Sequence, residues 1–419
     1  MLTGLVERRV TETVRGRMGV EPVIVLEGPR AVGKSTLLRA LADSLGREII
    51  DLDDLDTREA VRADPARFVE GDAPVLIDEF QHVPELLDAI KAELNRDGSA
   101  GRYVITGSTR YTTLPIAAQA LTGRAHRIQI LPLSQGEIAG IRESFAQRLI
   151  EEPADLLAGS RGAEHRDEYT RRILAGGFPP ALRRSAGADR ARWFDDYVEL
   201  VIDRDALEIS RVRQRRALPE LLRRLASQTG QVLNIATAAQ ALGMEKSTAE
   251  SYTKLLEAVF LIQRLPAWGR TLGSRVGVAP KVHIVDSGLA ARLLRLTEAK
   301  LAEKSASAFT ELGHLLETFV VGEICRQLDW SDEPTHIGHW RTHDGQEVDL
   351  VVEREDGRVV AVEVKAGTRL APEDSSGLRA LRRKLGDQLL VGVVLYGGSR
   401  AYAHPDGHLV LPICRLWGG

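Results

Sequence analysis

Residues Gly28-Pro29-Arg30-Ala31-Val32-Gly33-Lys34-Ser35, followed by Thr36, have the spacing G-x-x-x-x-G-K-S. Such a loop turns its backbone N–H groups inward around phosphate, and the helix after it points its positive end at the same anion. Lys34 can reach the β- and γ-phosphates of a nucleoside triphosphate, and the Ser35 hydroxyl can hold Mg2+. Downstream, the apolar run Val75-Leu76-Ile77 ends in Asp78-Glu79. Two acids closing a buried strand suit a metal held by Asp78, directly or through water, and a water activated by Glu79 as general base. Tyr103-Val104-Ile105-Thr106 then runs into Gly107-Ser108-Thr109, where Thr106 or Ser108 could orient that water. Arg124, after Gly123, could reach a neighbouring subunit's γ-phosphate as an arginine finger. Arg110 and Arg127 compete for that role, and an ordinary surface arginine is the alternative for each.

A second set of acids lies towards the C-terminus. Asp349 sits in Glu347-Val348-Asp349-Leu350-Val351-Val352. After an acidic turn at Glu355-Asp356-Gly357 comes Val359-Val360-Ala361-Val362-Glu363-Val364-Lys365. This D…E-x-K arrangement is the signature of restriction-endonuclease-like folds. Asp349, Glu363 and Glu317 from a preceding helix could gather one or two Mg2+ ions. Glu363 and Lys365 are two apart on a strand and so share a face, where Lys365 can orient water or neutralise charge on a phosphate. A half-exposed hairpin of alternating charge is the alternative, and such a fold is also kept for binding after cleavage is lost. The neighbours Glu353, Glu355 and Asp356 would repel a DNA backbone unless offset. Cleavage and binding without cleavage both stay open.

Elements able to position these residues can be read from the pattern. Strands are expected at Val23–Leu26, Glu48–Leu52, Val75–Asp78, Tyr103–Thr106 and Arg127–Leu131, with helices at Lys34–Leu45, Thr57–Arg62 and Leu86–Leu94 between them. That alternation predicts a mostly parallel α/β sheet. From about Leu133 helices take over, through Arg224. Leu221–Ser227, Ile235–Leu242 and Ser247–Phe260 read as three short helices, the third opened by a capping box at Ser247-Thr248-Ala249-Glu250. A hairpin starting at Leu261–Leu265 completes a winged-helix pattern. The third helix carries Lys254, with Lys246 before it, but also Glu250 and Glu257; reading DNA and docking a protein are both open. The last section predicts a helix at Leu315–Leu328, strands at Thr335–Arg341, Glu347–Val352, Val359–Val364 and Leu389–Leu395, and a helix at Ser376–Leu385.

A chain of 419 residues calls for two to four domains. A net charge of −3 argues against a chain-wide nucleic-acid footprint and leaves room for local basic patches. The stretches Arg211–Arg216 and Arg379–Lys384 are the candidates, each weighed against a plain solvated face. No apolar run approaches the roughly 18 residues of a membrane span. With an N-terminus lacking an apolar signal core and only Cys325 and Cys414, a cytoplasmic protein is expected.

These motifs resemble a prokaryotic AAA-type P-loop ATPase family whose members carry a C-terminal domain of unknown function. The likeness rests on Gly28–Thr36, Leu76-Ile77-Asp78-Glu79-Phe80-Gln81-His82-Val83-Pro84, Ile105-Thr106-Gly107-Ser108 and Leu121-Thr122-Gly123-Arg124. Gly176-Gly177-Phe178-Pro179, Arg204-Asp205, Lys281-Val282-His283-Ile284-Val285-Asp286-Ser287-Gly288-Leu289 and the Glu317–Asp349–Glu363–Lys365 set extend it over nearly the whole chain. Phe80 stands where the family more often has an aliphatic residue. The resemblance implies an AAA-like core with sheet order 5-1-4-3-2 and ATP as nucleotide. The expected architecture is an AAA-like ATPase core over residues 1–185, a helical and winged-helix region over 186–300, and a nuclease-like α/β domain over 301–419. The expected partners are ATP and Mg2+, DNA or RNA or a partner protein, no membrane, and further copies of the chain.

Overall fold

A computed structural model describes residues 2, 4–110, 121–158, 166–206, 216–269, 278–303, 305–331 and 333–418. Its first sheet joins β1 (Val23–Glu27), β2 (Ile49–Asp51), β3 (Val75–Asp78), β4 (Tyr103–Gly107) and β5 (Ala125–Gln129) in the order β2-β3-β4-β1-β5. Every pairing is parallel, and the order is the one the resemblance implied. The central strands β1, β3 and β4 are buried throughout, which is why they read as unbroken apolar runs. β5 begins at Ala125, earlier than Arg127. It lies at the sheet edge with Arg127 exposed, so its first residues carry little apolar signal.

The middle region contains a helix at Ala217–Ala226, β6 (Gln231–Val232), helices at Ile235–Ala241 and Lys246–Ala258, then β7 (Ile262–Leu265) and β8 (Lys281–Ile284). The three strands form an antiparallel sheet, β6-β8-β7. The third helix starts at Lys246 and its N-cap, Glu245, makes no side-chain cap bond, so the expected Ser247–Glu250 capping box is not formed. Glu250 instead pairs with Arg264 of β7 at 3.0 Å, a tertiary ion pair in place of a local cap.

The last sheet runs β13-β14-β12-β11-β10-β9, built from β9 (Thr335–Arg341), β10 (Glu347–Arg354), β11 (Val359–Lys365), β12 (Leu389–Tyr396), β13 (Tyr402–Ala403) and β14 (Leu409–Pro412). Alternation along its strands feeds two layers. Leu350, Val352, Val360 and Val362 share a core with Leu315 and Phe319 of a long helix, while Val351 and Ala361 pack with Leu378 and Leu381 of the Ser376–Leu385 helix. The long helix spans Ala306–Asp329, starting well before Leu315 because Ser305 caps it. It also fastens the first region: Glu323 accepts from the Gln135 amide and Gln327 from the Ala146 amide, both at 2.9 Å. Among the described residues no helix is long and apolar enough to cross a membrane.

Candidate nucleotide site and a C-terminal carboxylate cluster

The phosphate loop leaves β1 at the C-terminal edge of the first sheet. It passes so close to the chain after β5 that a Cβ on Gly28 would lie 2.1 Å from the Ile130 carbonyl oxygen. Gly33, the N-cap of the Lys34–Leu45 helix, has φ 97°, a region glycine enters at little cost. Arg8 braces the loop from behind, donating to the Val32 carbonyl at 2.6 Å and the Leu131 carbonyl at 2.7 Å. Arg30, inside the loop, donates through Nε to both oxygens of buried Asp205, at 2.7 and 2.6 Å. Lys34 is buried and its Nζ donates to the carbonyls of Gly28 and Pro29, each at 2.9 Å. Burial pulls its pKa down. Pro29, Ala31 and Val32 complete the loop, and Thr36 stands exposed in the helix's first turn.

Asp78 and Glu79 end β3 next to β4. Asp78 accepts from the Thr106 hydroxyl, and the Ser35 hydroxyl of the loop stands near enough to the same carboxylate to act on its pKa. Burial raises the Asp78 pKa, and those two hydroxyls work against the rise. Glu79 adopts φ 54° and ψ 50°, a left-handed conformation that costs a non-glycine residue about 1–3 kcal/mol. Strain of this kind clusters at functional sites. Its amide donates to Thr106 Oγ1 at 3.2 Å, and its carboxylate accepts from Gln81 Nε2, which also lies 3.0 Å from Ser108 Oγ. Thr106 therefore braces both acids, and Ser108 reaches them only through Gln81. The roles of Gln81 and Arg30 escaped the sequence reading. Gln81 had a signal, an amide two residues past the acid pair; Asp205, the partner of Arg30, comes from a distant helical turn at Val201–Ala206, and the Arg204-Asp205 motif marked it without showing its partner.

The arginines stand elsewhere. Arg124 precedes β5, whose first residue pairs with Val23 at the start of β1, so it lies at the end of the sheet opposite the phosphate loop. It donates to Asn95 Oδ1 at 2.7 Å. The Arg110 amide donates to the Ala258 carbonyl and its guanidinium lies over Phe260, docking it on the middle region. Of the basic stretches, 211–215 fall outside the described residues. Arg379 pairs with Asp406 at 3.2 Å, and Arg382 donates to the Gly407 carbonyl.

The C-terminal acids do come together, around a residue that sequence reasoning gave no chemistry. Lys281, first residue of β8, is 1% exposed. Its Nζ lies 2.7 Å from Glu317, 2.5 Å from Glu347 and 2.9 Å from Asp349. The second Asp349 oxygen accepts from the Val364 amide at 2.9 Å. Glu363 pairs with Lys365 at 2.9 Å through Oε1, leaving Oε2 buried without a hydrogen-bond partner. Burial alone would lower the Lys281 pKa, but Asp349, Glu317 and Glu347 outweigh it and hold the value well above the usual one. Burial and then Asp349 push Glu317 well up, and Glu363 goes up to about 8 for the same two reasons. The ammonium takes one oxygen each of Glu317, Glu347 and Asp349, and the Val364 amide donates to the other Asp349 oxygen, so a divalent ion would have to displace Lys281 to take these carboxylates.

Comparisons with known proteins follow this division. A family model described as an AAA domain matches residues 20–139, the stretch holding the loop, Asp78 and Glu79. Residues 20–139 are an AAA-type P-loop domain. Two models described as domains of unknown function, DUF8612 and DUF4143, match residues 166–300 and 312–416. The chain is 27% identical to uncharacterized proteins of Mycobacterium bovis and Mycobacterium tuberculosis over 98% of its length and 85% of theirs. A cytidylate kinase of Symbiobacterium thermophilum is 28% identical over 30% of this chain and 53% of its own. Among solved structures, the Walker-type ATPase PABY2304 of Pyrococcus abyssi matches 69% of this chain and 96% of its own, with 15% identity and a TM-score of 0.41.

Proposed function

We propose that this AAA-type protein binds ATP with Mg2+ and hydrolyses it, and that its C-terminal part responds by engaging a partner rather than by cutting nucleic acid. The observation that carries the first half is the convergence of Lys34, Ser35, Asp78, Thr106 and Glu79 at one sheet edge. Lys34 holds only neutral carbonyls, which phosphate oxygens can replace. Ser35 and Asp78 would hold Mg2+, which neutralises charge on the β- and γ-phosphates. Glu79, released by Gln81, accepts the proton of the attacking water. A paired Asp-Glu favours water over a small-molecule acceptor, which sets the kinase likeness aside.

Arg124, far from its own loop, is the finger offered to a second copy of the chain. Turnover per chain should then rise with protein concentration. Turnover that is constant across concentration, in a chain that mass measurements show to be monomeric, removes Arg124 from the mechanism.

The non-cleaving reading of the C-terminal part rests on the engaged oxygens of Asp349. A second reading, action on nucleic acid, draws on the middle region. Its element order fits a winged helix, and its third helix exposes Lys246 and Lys254 while Arg264 pairs with both Glu250 and Glu257. ATP turnover measured with and without DNA and RNA, for wild type, Glu79→Gln and Asp349→Asn, separates the readings. Hydrolysis that survives Glu79→Gln sinks the ATPase assignment. Metal-dependent DNA cleavage lost in Asp349→Asn sinks the non-cleaving one.

A further inference from the structure

We infer that Lys281 is a resident cation. Its ammonium takes the position that the D…E-x-K pattern reserves for a divalent metal, and the cluster gains a metal site only when that side chain is removed. An ammonium has three N–H donors; Lys281 donates to Glu317 and Asp349 and has Glu347 at ion-pair distance, so three carboxylates surround one cation. The carboxylates come from two elements, Glu317 from the long helix and Glu347 and Asp349 from β10, while the lysine arrives on a third, β8 of the middle region. The backbone also closes on the cluster. A Cβ placed on Gly230 would lie 3.3 Å from Glu317 Oε2, and Gly230 donates to the Val282 carbonyl next to Lys281. The Lys281 side chain is therefore fixed at its base by the β6–β8 pairing and at its tip by three anions. A mobile surface lysine could swing away and yield the carboxylates to Mg2+; this one has no solvent to swing into.

The consequence is structural as well as chemical. The cation that satisfies the acids is covalently part of another region, so the cluster joins β8 to β10 and the long helix. A dissociable ion could not make that connection. Lys365 stands on the far side of the pattern and pairs with Oε1 of Glu363, while Oε2 of Glu363 has no hydrogen-bond partner.

Lys281 in this role presupposes the non-cleaving reading of the C-terminal part, yet it is tested on metal binding and not on cleavage. Mn2+ is titrated into the full-length chain, followed by calorimetry and by the electron paramagnetic resonance of the free ion, with folding checked by circular dichroism. Wild type and Asp349→Asn should bind the same number of ions. Lys281→Met should bind one more than wild type, and the added site should vanish in Lys281→Met/Asp349→Asn. An Asp349-dependent Mn2+ site in the wild-type chain overturns the inference, and so does a folded Lys281→Met chain that gains none. Should Lys281→Met not fold, wild type against Asp349→Asn decides by itself. DNA cleavage by a wild-type chain with no such site would defeat the non-cleaving reading and leave Lys281 as assigned. A wild-type site without cleavage would do the reverse.

Discussion

Among the described residues two lysines are buried near acids, and they behave in opposite ways. Lys34 rests on two backbone carbonyls, with Asp78 and Glu79 nearby but bonded to Thr106 and Gln81. Lys281 rests on three carboxylates. Burial lowers the pKa of the first, and the acids raise that of the second. Carbonyl contacts are weak enough to be exchanged for phosphate, whereas a buried ammonium against carboxylates is strongly destabilised by losing its partners. Similar residue types thus build a site ready for a ligand in one region and a fastening in the other.

The largest effect that would break this contrast concerns turnover. Glu79→Gln should lower kcat for ATP by about 10²–10⁴-fold, the range a positioned general base supplies. Nucleotide binding, followed by fluorescence of a labelled analogue, should persist. Lys34→Ala should cut turnover and binding together while leaving the unfolding midpoint nearly unchanged.

Lys281→Ala should show the reverse. It leaves the acids without their cation, a loss of about 3–5 kcal/mol for a buried pair, seen as a lower urea midpoint, with ATP turnover per folded chain close to wild type. A stable Lys281→Ala chain would erase the difference between the two regions. Arg30→Ala should fall between them. It removes the guanidinium that holds both oxygens of buried Asp205, at a cost of about 1–3 kcal/mol, and it loosens the loop, so both stability and KM should move.

The smallest effect is a pH dependence near the fastening. Burial, then Lys281, holds the His283 pKa down from 6.5 to about 3. Between those values the unfolded chain takes a proton that the folded chain refuses, so stability falls as pH drops below about 6.5. Glu363, raised to about 8, acts in the opposite sense: the folded chain keeps a proton that the unfolded one releases, and stability falls as pH rises from 4.5 to about 8. Comparing His283→Gln with wild type cancels the Glu363 contribution. The variant should lose less stability than wild type between pH 7 and pH 5, in urea titrations. An equal loss would show that His283 is not held neutral.

How far these regions could be read in advance differs. The phosphate loop and Asp78-Glu79 are contiguous motifs flanked by apolar strands, so local pattern reveals both the residues and their roles. The first sheet was legible for the same reason. Strand β8 was not. It is four residues long, with a lysine and a histidine that look wrong for a buried strand until their partners are seen. The acid set was visible by its spacing, but spacing along one strand pair says nothing of a cation delivered from another sheet.

By itself the sequence determined the parallel α/β core, the nucleotide loop, the acid pair ending β3 and the shared face of Glu363 and Lys365, because each depends on short-range spacing and burial pattern. Only the tertiary structure decided that Arg30 is tied to Asp205, that Gln81 holds Glu79, that Arg124 stands at the far end of its own sheet, and that Lys281 fills the C-terminal cluster. Those contacts join residues far apart in the chain, and their chemistry is set by which charges burial forces together.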